Sequence, residues 1–186
     1  MTTKPLKKGA TYEDLCNVSD RFIAEILDGD LYASPRLAIP HARAATVLSA
    51  ELYRPFDGGD NGAEAWLFLN KPEVHFANDV LVPDIAGWRR ARMPRVSAEA
   101  YTTLAPDWVC EVLSPSTEAL DRGKKLTIYS REGVAHAWLV DPVRRTLEVL
   151  LLKSGTWSVL DRHEGRVNVH AAPFAAIELE LGALWI

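Results

Sequence analysis

Apolar and polar positions follow several different rhythms along this chain. Within residues 11–24 the apolar Leu15, Val18, Phe22 and Ile23 fall at helical spacing, which predicts a short N-terminal helix. Ile26-Leu27 and Leu31-Tyr32 then flank Asp28-Gly29. Two short apolar runs around that dipeptide predict a β-hairpin, because glycine takes the positive φ of a tight turn without steric penalty. Pro40 leads an Ala- and Leu-rich stretch over residues 41–53, read as a second helix, and residues 57–62, DGGDNG, are a loop by composition. The middle of the chain is strand-like. Residues 74–76 and 80–88 are apolar runs separated by Asn78-Asp79, and 108–113 form a compact strand. Ser114-Pro115-Ser116-Thr117 supplies capping residues and an early proline, opening a helix that runs to about Glu132 and stops at Gly133. Residues 137–140 and 146–152 pair around Asp141-Pro142, and 157–160 and 167–169 add strands. This order predicts an α/β or α+β sandwich.

Composition narrows the class of protein. The chain has 186 residues, 48% hydrophobic and 25% charged, which fits a single domain over 1–186 with residues 1–10 as a tail. A chain of this length buries about 70% of its unfolded surface, so it needs no disulfide or metal staple. With 25 acidic against 21 basic residues the net charge is −4, which excludes a protein that coats nucleic acid by bulk charge. A local basic groove stays compatible, since phosphate binding depends on where the charges lie. Cys16 and Cys110 form no CxxC pair, so no zinc or disulfide framework is indicated. No apolar run approaches the roughly 20 residues that span a bilayer. The polar start, with lysines at 4, 7 and 8, is unlike a signal peptide, and the expected compartment is the cytoplasm.

Three residues ask for chemistry. In the strand over 108–113, alternation puts Val109, Glu111 and Leu113 on one face and Trp108, Cys110 and Val112 on the other. An ionised Glu111 among such neighbours needs a cation, a metal or hydrogen bonds. The alternative is an edge-strand glutamate facing water. Asp84 follows Pro83, whose missing N–H marks an edge, a bulge or a bend. On neighbouring strands, Asp84 and Glu111 would form a hard oxygen site suited to Mg²⁺ or Mn²⁺, although Asp84 taken alone reads more readily as a Pro-Asp turn residue. Lys125 has Ile128 and Tyr129 one turn ahead of it, so its ammonium is within reach of those carboxylates. The competing arrangement is an i,i+4 surface pair with Asp121.

These residues carry a resemblance to a known family. Glu25-Ile-Leu-Asp-Gly-Asp-Leu31, His41 opening a helix, Val82-Pro-Asp-Ile85 and the long run from Ala105 through Trp108-Val-Cys-Glu-Val-Leu113 to Thr117 are its main pieces. Residues 121–129, Gly133-Val134 and Trp138-Leu-Val-Asp-Pro142 complete it. Over residues 25–184 the chain resembles the Uma family of putative restriction endonucleases, a branch of the PD-(D/E)XK nuclease superfamily. The resemblance implies a restriction-endonuclease-like α/β core: a mixed β-sheet flanked by helices, with an N-terminal helix and hairpin and extra C-terminal strands. It also implies a Mg²⁺- or Mn²⁺-dependent endonuclease acting on DNA. Asp84 and Glu111 would hold the metal, and Lys125 would stabilise developing negative charge or position the attacking water. One departure stands out: the (D/E)XK triplet is Glu111-Val112-Leu113, so its lysine is missing from the strand. The Uma-like pattern moves that lysine to the following helix, at Lys125, with Lys124 as competitor. Glu25 and His41 match further family positions as a metal-side carboxylate and a contact to metal, water or phosphate. Their plainer readings are a hairpin-flanking glutamate and a helix-start cap.

A second class of function is a non-catalytic nucleic-acid- or protein-binding module that keeps the nuclease fold, since fold does not imply activity. A two-carboxylate glycosidase ranks below both, because it needs neither lysine nor metal. Arginines 89, 90, 92 and 95 form a candidate phosphate-binding rim or a solvated loop. A homodimer suits cleavage of both strands of a duplex.

Overall fold

A computed structural model of the protein describes residues 4–35, 38–57 and 65–185; the predicted loop over 57–62 lies, from residue 58 on, outside the described residues. The first helix, α1 (Tyr12–Cys16), is shorter than its apolar spacing predicts. Phe22 and Ile23 belong instead to strand β1 (Phe22–Leu27), which pairs antiparallel with β2 (Asp30–Pro35). Their helical spacing to Leu15 and Val18 is thus incidental, and pairing across the hairpin decides their conformation. The turn passes through Asp28 (φ 54°) and Gly29 (φ 75°). Positive φ at both central residues matches the right-handed twist of the flanking strands.

Helix α2 (Ile39–Phe56) starts two residues before the predicted span, with Pro40 in its first turn, where the missing N–H breaks no helical bond. Then come β3 (Trp66–Asn70), β4 (Glu73–Phe76), β5 (Asp79–Leu81), β6 (Ile85–Arg89), β7 (Tyr101–Thr102) and β8 (Trp108–Val112). The apolar run over 80–88 is therefore two strands. They lie in different sheets: β5 in a five-stranded sheet ordered β2-β1-β5-β4-β7, and β6 in a six-stranded one. The chain crosses between the sheets at Val82-Pro83-Asp84, so Pro83 marks a bend.

A helical segment follows β8: α3 (Glu118–Leu120), a π turn (Asp121–Lys125) and α4 (Leu126–Arg131), ending before Gly133 at φ 75°. β9 (His136–Asp141), β10 (Thr146–Lys153) and β11 (Thr156–Glu164) complete the larger sheet in the order β11-β10-β9-β8-β6-β3. The β8–β9 pair is parallel and the rest antiparallel, which makes the sheet mixed. A two-stranded ribbon of β12 (Asn168–Val169) and β13 (Leu179–Glu180) and a 3₁₀ turn (Leu181–Leu184) close the described chain.

The alternation along β8 divides the core. Trp108, Cys110 and Val112 pack with Leu48, Leu52 and Phe56 of α2 and with Trp138 and Phe174. Val109 and Leu113 pack on the other face with Leu126, Ile128 and Tyr129 of α4 and with the smaller sheet. Helices thus flank the larger sheet on both faces, the architecture implied by the family resemblance. Among the described residues no helix is long and apolar enough to cross a membrane.

Candidate active site

The ladder between β6 and β8 ends at the pair Ile85–Cys110. One residue further along each strand stand Asp84 and Glu111, so antiparallel register alone brings the two predicted carboxylates to neighbouring positions. β8 is an interior strand between β6 and β9, which overturns the water-facing reading of Glu111: it is 2% exposed. Asp84 is also buried, and its Oδ2 accepts a hydrogen bond from the Val112 amide at 2.8 Å. Asp84 is thereby tied to the strand that carries Glu111.

His41, on the first turn of α2, is buried and is no solvent-facing cap. Its Nε2 lies 3.0 Å from Asp84 Oδ2. Glu25 enters from β1, where Oε1 accepts the Val82 amide at 2.8 Å. Lys125 Nζ stands among three acids, at 2.9 Å from Glu111 Oε1, 3.0 Å from Glu25 Oε1 and 3.7 Å from Asp121 Oδ1, and donates to Val82 O at 3.4 Å. Glu25 and Lys125 thus hold both backbone polar groups of Val82, beside the bend that presents Asp84. Lys124, the competitor, points elsewhere and pairs with Asp28 on the hairpin turn at 2.6 Å.

Sequence reasoning read Asp121 and Lys125 as a possible surface pair. Both are buried, and the π turn that contains them is where the helical hydrogen-bond pattern widens, a feature often found at functional positions. Asp121 is therefore a fourth carboxylate of the cluster. Tyr129, one turn beyond Lys125, donates its hydroxyl to Glu111 Oε1 at 2.6 Å. A further unforeseen member is Lys71, whose Nζ lies 2.6 Å from Asp84 Oδ1.

The electrostatics follow from the count. Four carboxylates (Glu25, Asp84, Glu111, Asp121) face two ammonium groups (Lys71, Lys125), so acids outnumber the lysines that meet them. Desolvation and the neighbouring acids hold Glu111 well above the usual carboxylate range despite Lys125. The same causes push Asp121 up to about 6. Asp84 goes the other way: burial disfavours its charge, but the His41 hydrogen bond, with Lys71 and Lys125, outweighs it and brings the carboxyl to about 2. Burial opposes the charge on Lys125 too, yet Glu111 and Glu25 raise it well above the ordinary lysine value.

The acids line a cavity of about 20 Å³, which is room for about one water molecule. Beside it lies an open groove of about 460 Å³ bordered by Phe22, Ala45, Thr46 and Asn70, and Ile23, His41, Lys71 and Asp84 line both spaces. The donor set of hard carboxylate oxygens suits Mg²⁺ or Mn²⁺ and not a soft metal. Among the described residues no three acid, imidazole or thiol groups form a ready-made metal cage. Ammonium groups sit instead on oxygens that a cation would use.

The arginine rim is largely committed to other contacts. Arg89 lies over the Trp66 ring at 4.5 Å, Arg90 pairs with Asp57, and Arg92 pairs with Asp107 at 2.8 Å. None of the four arginines lines the carboxylate cavity or the adjoining groove.

Comparison with known proteins fits this architecture. The family model described as Uma2, putative restriction endonuclease, matches residues 10–182. The chain belongs to that family. Its fold is shared with a crystal structure of a putative nuclease belonging to DUF820 from Anabaena variabilis ATCC 29413, at TM-score 0.72 and 21% identity, covering 94% of this chain and 97% of that one. No curated protein matches the sequence. The Uma2 assignment and the nuclease fold agree with the family read from the motifs around Asp84 and Glu111.

Proposed function

We propose that this Uma2 protein is a divalent-metal-dependent endonuclease that hydrolyses phosphodiester bonds, with DNA as substrate. The observation that carries the reading is the surplus of acids: four buried carboxylates against two ammonium groups, in a cavity that adjoins an open groove. A buried site with more acids than ammonium groups favours a further cation, and carboxylate oxygens favour Mg²⁺ or Mn²⁺. Asp84 and Glu111 would hold it, with Glu25 and Asp121 as the adjoining acids.

When bound, such a cation supplies Lewis-acid polarisation of the phosphate and an activated water. The chain's own residues do the positioning. His41 and the Val112 amide fix the Asp84 carboxylate. Tyr129 and Lys125 both engage Oε1 of Glu111, so its orientation is set from one side. Lys125, buried on three acids, acts in this reading as a positioning residue that keeps like charges together.

The test is incubation with supercoiled plasmid in Mg²⁺, in Mn²⁺ and in EDTA. Nicking in either metal, absent in EDTA and in Asp84→Ala and Glu111→Ala, is the expected result. Cleavage that persists in Asp84→Ala would overturn the assignment. The family's description as putative restriction endonucleases, the fold shared with the putative nuclease from Anabaena variabilis and the carboxylate geometry all support the reading.

A further inference from the structure

Lys71 occupies a position unlike that of any other cation near the site. It follows β3 with a left-handed backbone, φ 51°, that a lysine seldom adopts, and its own amide donates to the carbonyl of Asp84 at 3.0 Å. The main chain is thus clamped to the residue that the side chain also contacts. Among the described residues it is the one lysine or arginine that lines both the carboxylate cavity and the groove. Its side chain is 41% exposed, whereas that of Lys125 is 3% exposed.

The two oxygens of Asp84 are held differently. Oδ2 receives His41 and the Val112 amide, both from buried, rigid surroundings. Oδ1 receives Lys71 at 2.6 Å, from a half-exposed, four-carbon stem. A flexible ammonium is easily exchanged, and a divalent ion competes with it for the same oxygen with twice the charge.

We propose that Lys71 is a place-holder cation: its ammonium neutralises Asp84 Oδ1 in the metal-free protein and, once a divalent cation takes that oxygen, turns into the groove to bind a substrate phosphate. The exchange at Asp84 rests on the geometry alone; the phosphate contact rests also on the nuclease reading. Lys71 then supplies a cationic contact at the groove, which buried Lys125 does not line.

The experiment compares wild type, Lys71→Met and Lys71→Arg in two measurements without turnover. Calorimetric titration with Mn²⁺ reads the exchange. With the competitor removed, Lys71→Met binds Mn²⁺ about tenfold more tightly than wild type. Unchanged or weaker Mn²⁺ binding would overturn the place-holder role and mark Lys71 as structural. Anisotropy of a labelled oligonucleotide in Ca²⁺, over a range of salt, reads the phosphate contact. Lys71→Met weakens binding and lowers the slope of log Kd against log salt by about one, and Lys71→Arg restores it. An unchanged slope overturns the contact. A wild type that binds Mn²⁺ but no oligonucleotide defeats the nuclease reading and the contact together, while the Mn²⁺ comparison still decides the exchange.

Discussion

Two clusters of charge lie on either side of one helical segment, and they behave oppositely. On the outer side Glu118, Asp141 and Glu148 meet Arg122, Arg144 and Arg162, with contacts of 2.5 Å (Arg122–Glu148), 2.7 Å (Arg144–Asp141) and 3.1 Å (Arg162–Glu148). Three acids meet three guanidinium groups. Hydrogen bonds from Arg144 and Arg122 lower Glu118, and the bonds from Arg122 and Arg162 outweigh desolvation to lower Glu148. On the inner side four acids meet two lysines, and Glu111 and Asp121 rise. Burial and charge balance both separate the two clusters: the Glu118 side chain is 27% exposed and that of Glu111 2%, and only the inner cluster has more acids than cations. The outer cluster is complete as it stands, whereas the inner one holds acids in a state that a further cation would relieve, as functional sites often do.

The comparison breaks most visibly at Asp84. Asp84→Ala removes a carboxylate from the centre of the inner cluster and lowers plasmid nicking by at least about 10³-fold, while Glu148→Ala leaves nicking within about twofold. Initial-rate assays at saturating Mg²⁺ read both. The next effect is on stability. Lys125→Met leaves Glu25, Glu111 and Asp121 buried without their shared ammonium, and removal of one partner from a buried ionic cluster costs about 3–5 kcal/mol. Urea denaturation in EDTA at pH 7.5 measures it. A loss below about 1 kcal/mol would show that the three acids are already protonated and need no ammonium.

Much of this contrast is legible in local sequence, but not the count of charges. Glu111 betrays itself by alternation among Val109 and Leu113, and Asp84 by the Pro83 bend that switches sheets. His41 and Glu25 enter through the family pattern. Lys71 carries no local signal, because its approach to Asp84 depends on the pairing of β3 with β6, where Asn70 meets Ile85. Asp121 was disguised differently. Its i,i+4 spacing from Lys125 is that of an ordinary surface pair, and nothing in Asp121-Arg-Gly-Lys-Lys125 announces a π turn. The short α1 has a similar origin: residues at helical spacing also fit a helix followed by a strand, and pairing with a distant partner chooses between them.

Charge balance makes its finest prediction through pH, because isosteric neutral variants in the two clusters shift stability in opposite directions. Asp121 has a folded pKa of about 6 against an ordinary 3.8. Folding therefore penalises its ionised form above pH 6, and the penalty disappears below about 3.8, where both states are protonated. Asp121→Asn lacks the penalty, so in EDTA at pH 8 it is more stable than wild type by about 1–3 kcal/mol, with the gain gone near pH 4. Glu148 has the reverse sign. Its folded pKa lies below the ordinary 4.5, so its stabilisation is present above that pH and fades as pH falls through the folded value. Glu148→Gln consequently loses about 1 kcal/mol at pH 8 and progressively less in acid. Parallel urea titrations of both variants at pH 4, 6 and 8 decide the matter. Curves of the same sign would mean that Lys125 outweighs desolvation and the neighbouring acids at Asp121, and that the inner cluster is balanced like the outer one.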